Sequence, residues 1–331
     1  MRRRDFVIVL LGASGLSLRT ARAEHRSVGF LSAGTPDAYA SFVAAFRARI
    51  AEKGYVEDRN LAIEFRWAEG HYDRLAELAN DLVHKPVEVI ATSGGDIVAA
   101  AAKAATATIP IVFISGGDPV ARGFATSLAR PGANMTGMSL LVIELVPKRL
   151  ELVHDLVPDA ALMGGLINPK NSNSGRNQTA LQEAAQAKGV QIHISEASND
   201  SELERAFADL ASLQAGALIV GADPFFNARR NQIVALAARY SLPTIYEWRE
   251  FLDAGGLISY GPSLKGVYLQ MGNYVGRVLN GEKPADLPVV QPTLFDLVVN
   301  LNTAKTLGLA VPRSILARAS EVIERSERRR H

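Results

Sequence analysis

Past residue 24 the chain alternates between short apolar runs and amphipathic stretches almost without interruption. The runs at 27–31, 61–67, 87–91, 111–114, 162–167, 190–194, 217–220, 244–246 and 257–260 have the length of strands. Between them the apolar positions switch to helical spacing. Phe42, Phe46 and Ile50 recur at i+4 and stop before Gly54, as in a helix closed by its C-terminal glycine. Leu75, Leu78, Leu82 and Val83 mark the next helix. The strands also differ among themselves. Segment 61–67 sets Leu61, Ile63, Phe65 and Trp67 against Glu64 and Arg66, the mark of an outer strand with one wet face. Segment 111–114 is apolar throughout and suits a sheet buried on both sides.

Such alternation predicts an α/β fold in which helices cover both faces of parallel sheets. A chain of 331 residues is long for one core and comfortable for two domains of about 150 residues each. We therefore expect two doubly wound lobes. Glycine, proline and charge are spread evenly, so no flexible linker separates them, and several crossings should act together as a hinge. The expected first lobe comprises 24–138 and 257–287, the second 139–256 and 288–331. The first crossing is placed near 136–142. Strand 257–260 and helix 264–279 are expected to return to the first lobe, and 291–300 to cross back.

The N-terminus adds an address. Arg2, Arg3 and Arg4 precede an apolar run at 6–18, and Ala21-Arg22-Ala23 supplies the small residues a signal peptidase needs, so 1–23 reads as a secretory signal. Arg3-Arg4-Asp5-Phe6-Val7 resembles the twin-arginine signal, which implies a periplasmic protein. The run is shorter than the roughly 20 residues that span a bilayer. No later run is long enough either, so membrane insertion of the mature chain is not expected. The formal charge of +2 rests on five arginines in the signal, and the remaining chain is slightly acidic, with basic residues gathered in the tail 325–330. Nothing in that pattern calls for nucleic acid. The absence of cysteine excludes a lipoprotein anchor, thiol nucleophiles and sulfur-ligated metals.

In parallel sheets the ligand site lies beyond the carboxyl ends of the strands. There the sequence places Ser32-Ala33-Gly34, Thr92-Ser93-Gly94-Gly95-Asp96, Gly116-Gly117-Asp118-Pro119, Asn168-Pro169-Lys170-Asn171, Gly221-Ala222-Asp223-Pro224 and Glu247-Trp248. The candidate ligand-binding residues are Ser32, Thr92, Ser93, Asp118, Asn168, Asp223, Tyr246 and Tyr260. Asp118 and Asp223 both follow an apolar strand and precede proline, so they are expected to face each other across one cleft and to take an ammonium group. The 92–95 turn opens an alanine-rich helix whose positive end suits a carboxylate. Tyr246, Trp248 and Tyr260 are placed to cover an apolar side chain. Each of these residues also has a plainer reading as helix cap, turn former or core aromatic, and Asp96 offers a third carboxylate. No G-x-G-x-x-G, P-loop or G-x-S-x-G occurs, and the histidines are scattered. Neither a metal nor a cofactor is expected, and the chain is not read as an enzyme.

Ordered strings along the chain resemble one family. They include Arg-Trp-Ala-Glu-Gly at 66–70, Gly-Asp-Pro-Val at 117–120, Ser-Leu-Ala-Arg-Pro-Gly at 127–132 and Asn-Met-Thr-Gly at 134–137. Asp-Pro-Phe-Phe-Asn at 223–227, Leu-Pro-Thr-Ile-Tyr-Glu at 242–247, Gly-Gly-Leu-Ile-Ser-Tyr-Gly at 255–261 and Asn-Leu-Asn-Thr-Ala-Lys-Thr-Leu-Gly-Leu at 300–309 complete the set. The sequence is similar to ABC-transporter substrate-binding proteins, whose characterised relatives bind tryptophan, phenylalanine or tyrosine. The resemblance implies a type I periplasmic-binding fold, a small-molecule ligand (an aromatic amino acid among the options) and an inner-membrane permease as partner. A periplasmic enzyme on the same fold and a ligand-presenting sensor subunit are the alternatives.

Overall fold

The computed structural model describes residues 25–324; the expected signal at 1–23 and the basic tail at 325–330 lie outside them. The chain builds a first sheet from β1 (Arg26–Ser32), β2 (Leu61–Trp67), β3 (Val89–Ser93), β4 (Ile111–Ser115) and β5 (Met135–Ser139). Helices α1 (Pro36–Ala51), α2 (Leu75–Val83) and α3 (Asp96–Ala105) lie between these strands. All pairings are parallel and the order is β2-β1-β3-β4-β5. That is a doubly wound sheet whose strand order reverses between β1 and β3. The wet-faced strand β2 is at the edge, and β3 and β4 are buried at every position, the latter through the apolar run 111–114.

The second sheet repeats the plan. After α4 (Val146–Leu156) come β6 (Leu162–Ile167), α5 (Ser174–Lys188), β7 (Gln191–Glu196), α6 (Asp200–Ser212) and β8 (Ala217–Val220). The short α7 (Pro224–Ala228), then α8 (Arg230–Arg239), β9 (Thr244–Tyr246), the single turn α9 (Glu250–Asp253) and β10 (Ile258–Gly261) follow. The order β7-β6-β8-β9-β10 matches the first sheet strand for strand, so its reversal lies between β6 and β8. Helix α10 (Leu264–Leu279) then returns to pack on α1 and the first sheet. The described residues end with β11 (Asp296–Asn300), antiparallel to β10, then α11 (Leu301–Thr306), α12 (Arg313–Leu316) and β12 (Glu321–Ile323), parallel to β11.

Two expectations change. Strand 257–260 does not return to the first lobe: Ile258 pairs with Ile245 of β9 and Val299 of β11. The one-turn helix before it reaches only the neighbouring place in the same sheet, and the return is made by α10. The passage 136–142 is in part strand β5, which its sequence disguises because Thr136 and Gly137 break the apolar run. Gly137 is required there, since a Cβ would sit 2.0 Å from the Phe113 carbonyl oxygen. The lobes are joined three times, at 140–145, 262–263 and 291–295. The first crossing stays tied to the first lobe through Leu140 N–H to Ser115 O (2.8 Å) and Val142 N–H to Gly116 O (3.2 Å).

The α1–α10 contact holds the returning helix close to the first sheet. An added Cβ at Gly272 would fall 2.5 Å from the backbone oxygen of Phe46. Alanine in place of a mid-helix glycine ordinarily gains about 1 kcal/mol. Here a backbone atom blocks it, and overpacking typically costs about 1–3 kcal/mol. Gly272→Ala should therefore lower the melting temperature, and an unchanged or raised value would show that the helices separate freely.

Candidate functional site

The carboxyl ends of both sheets meet around a cleft enclosing about 590 Å³ of empty space, part of it continuous with solvent. Its lining is mixed. Ile114, Leu140, Val142, Trp248 and Leu264 supply apolar surface, joined by the rings of Tyr39 and Tyr268, whose centroids lie 6.3 Å apart. Asp96, Asn171, Asn173, Asp223 and Asn227 supply the polar groups. Tyr39 reaches the wall because residue 34 is glycine: a Cβ there would lie 2.2 Å from the tyrosine ring. Gly94, at φ +112°, turns the chain from β3 into α3 in a backbone region that disfavours other residues.

Asp223 is the charge at the centre of this arrangement. It caps α7, accepting from Phe225 N–H at 2.9 Å, and its carboxylate also accepts from Asn168 (3.0 Å), Asn171 (2.8 Å) and the Tyr72 hydroxyl, which lies 2.9 and 3.0 Å from its two oxygens. All these donors are neutral. Among the described residues no ion pair involves it, and burial raises its pKa above the ordinary aspartate value, opposed by the Asn168, Asn171 and Tyr72 hydrogen bonds. Nearby, Asn227 is 1% exposed, and its amide oxygen has no hydrogen-bond partner among the described residues. Its amide is turned to the Tyr39 phenol, which burial pushes up to about 12 against the hydrogen bond from Asn227. A buried amide whose oxygen has nothing to bind, in the wall of a cleft, is a group prepared for a ligand.

The other candidates from the sequence divide clearly. Asn168 holds Asp223 from below the cleft. Ser93 bonds the Tyr268 hydroxyl and so supports the wall from behind. Ser32 is buried and accepts from Gly34 N–H (3.1 Å), and Thr92 is sealed within β3. Tyr246 is stacked on Phe251 at 4.6 Å inside the second lobe, and Tyr260 lies near Phe295; neither lines the cleft. Asp118 is exposed and spends its carboxylate on Val120 N–H (2.8 Å) and Ala121 N–H (3.3 Å). It does not face Asp223 across the cleft. The reason lies in topology. Asp118 follows the fourth strand of its lobe in chain order and Asp223 the third, so the residue matching Asp223 is Asp96, after β3. Tyr39, Tyr72, Asn173, Asn227 and Tyr268 were not singled out, because they sit on helices and loop ends whose inward face only the packed lobes define.

A family model for ABC transporter substrate binding proteins matches residues 33–323. The chain belongs to that family. This substrate-binding protein is 26% identical over 260 residues to a tyrosine-binding protein of Clostridioides difficile, covering 78% of this chain and 74% of that one. Its fold is similar to that of a conserved domain protein from Vibrio cholerae (TM-score 0.83, 25% identity), with 91% of this chain and 100% of that one covered. It is also similar to an L-Trp complex of an ABC domain from Streptococcus pneumoniae (TM-score 0.81, 23% identity, 91% and 100% covered). The likeness to a ligand-free, open substrate binding protein from Clostridium difficile is lower (TM-score 0.63, 25% identity, 90% and 99% covered). The architecture is the type I periplasmic-binding fold, and the relatives are substrate-binding proteins. Among the described residues no helix is long and apolar enough to cross a membrane.

Beneath the cleft of this substrate-binding protein lies a second buried pair. Arg149 and Glu247 are 1% and 2% exposed, and their closest charged atoms are 3.7 Å apart. Arg149 donates to the Val142 carbonyl at 2.7 Å, while both Glu247 carboxylate oxygens lack a hydrogen-bond partner among the described residues. Desolvation outweighs the attraction, raising Glu247 to about 7 and lowering Arg149. A carboxyl raised on folding adds stability that is present below its unfolded value near 4.5 and is lost as pH rises through about 7. The melting temperature should therefore fall from pH 5 to pH 8, with Glu247→Gln removing part of that slope. Equal slopes for variant and wild type would show that Glu247 is not the titrating group.

Proposed function

We propose that this protein is the periplasmic capture subunit of an ABC importer and that its ligand is an amino acid with an apolar, aromatic side chain. The observation that carries this reading is Asp223: a carboxylate withdrawn from water, in the cleft wall, with neutral partners only. A ligand ammonium is the counter-charge that such a group lacks. Asn227 offers an unused acceptor beside it, and the start of α3 at Gly95 and Asp96 presents free N–H groups to a carboxylate. The apolar lining, with Trp248, Tyr268, Leu140, Val142 and Leu264, suits an apolar or aromatic side chain. The likeness to a tyrosine-binding protein supports the same class. Asp96 is not the ammonium partner in this reading, because Arg122 already lies 3.3 Å from its carboxylate.

The test is calorimetry with L-tryptophan, L-tyrosine and L-phenylalanine, each beside its analogue lacking the amino group. The amino acids should bind and the deaminated analogues should not. Asp223→Asn keeps the shape and the cap but removes the charge. Loss of a partner in a buried charge pair typically costs about 2–5 kcal/mol, a weakening of roughly 30-fold to several thousandfold. Asp118→Ala should instead bind normally and lose about 0.5–2 kcal/mol of stability as an ordinary cap. Normal affinity in Asp223→Asn would remove the ammonium site, and equal binding of the deaminated analogues would remove the ligand class. Loss of labelled amino-acid uptake in a strain lacking the gene checks the importer role.

A further inference from the structure

Asp96 and Arg122, both on the first lobe, form an ion pair at the rim of the cleft. The carboxylate also accepts from the Ser115 hydroxyl (2.5 Å) and Gly116 N–H (3.0 Å), so the first lobe holds it rigidly. Opposite it stands Asn173 of the second lobe. Its amide nitrogen donates to Asp96 at 2.9 Å, and its amide oxygen accepts from Arg122 at 2.6 Å. Arg122 also donates to the Ser172 carbonyl at 2.9 Å. One amide thus meets both members of an ion pair, donor to anion and acceptor to cation.

Asn173 occupies the N-cap position of α5, where an asparagine side chain normally bonds its own helix. Here it makes no capping hydrogen bond and turns to the other lobe. Its N–H is taken by the Asn171 side chain (2.9 Å), which fixes the backbone behind it. Arg122 is half-buried and does not line the cavity. No bound molecule is needed to complete any of these contacts.

From this we infer that Arg122 and Asn173 form a clasp between the lobes that sets the affinity of the cleft through the closed population, with Arg122 acting as a positioning residue that never touches the ligand. Affinity for a ligand that binds the closed form scales with the fraction of molecules closed. The inference rests on the two-lobed capture reading for its purpose, but not for its test. A lost hydrogen bond to a charged group corresponds to roughly a 10- to 100-fold change in an equilibrium.

The sequence contains no cysteine, so spin labels at Asp73→Cys and Lys170→Cys, both exposed rim positions, report the interlobe distance in the ligand-free protein. The labelled protein should show a closed fraction, and Arg122→Ala and Asn173→Ala should each lower the closed-to-open ratio by about tenfold or more. The double variant should open the protein further than either single one but by less than the two effects combined, because the Arg122–Asn173 bond is lost in both single variants. If Arg122→Ala does not fold, Arg122→Lys, which keeps the charge but loses the fork, takes its place with the same direction expected. A distance distribution without a closed fraction, or one that these variants leave unchanged, overturns the clasp whatever the ligand proves to be.

Discussion

The organising constraint is a negative charge held out of water without a cation. Asp223 is stable only because dipoles from both lobes converge on it: Tyr72 from the first, Asn168, Asn171 and the α7 N–H groups from the second. Desolvating a carboxylate is among the most expensive events in folding, and neutral hydrogen bonds offset it incompletely. The remaining deficit makes the cleft receptive to a ligand cation. It also ties ligand recognition to lobe closure, since the Tyr72 hydroxyl reaches Asp223 only when the two sheets stand together.

Among the described residues, three buried acids meet the same cost in three ways. Asp223 relies on neutral donors, Asp96 takes Arg122 and an amide from the other lobe, and Glu247 faces a buried arginine at a distance too long for a hydrogen bond. Only the first is left without a charge partner. That difference separates the recognition residue from the others, and it cannot be read from residue type. Arg149, through its bond to the Val142 carbonyl, anchors the first crossing where it enters the second lobe. Glu247 borders the second crossing, for a Cβ at Gly261 would lie 2.3 Å from its carbonyl oxygen. The pair therefore sits where two of the three connections join the second lobe.

Much of the fold was legible from the chain alone. Period-2 and period-3.6 patterns report which face of an element is buried, and a buried face is fixed by the local sequence. The wet-faced β2 fell at an edge and the apolar run 111–114 fell inside as β4, as the pattern required. Strand β5 escaped because small residues in a tightly packed strand carry no apolar period. The lobe assignment of β10 escaped because sheet membership depends on which edge a strand reaches, and periodicity does not encode that.

For the site, the sequence determined that polar loops would gather at the carboxyl ends of the strands, and Asp223 and Asn168 were among the residues it named. Only the tertiary structure decided which acid faces the cleft. Asp118-Pro119 and Asp223-Pro224 are alike as local strings, yet one is a solvated turn cap and the other a buried carboxylate. Equivalence between the lobes follows strand order, which pairs the loop after β8 with the loop after β3. Tyr39, Asn227 and Tyr268 are brought together from α1, α7 and α10, remote in sequence and joined by the closure of two lobes. A chain encodes the apolar faces of its elements residue by residue, but burial of a polar group in a shared cleft is a property of the assembled surfaces.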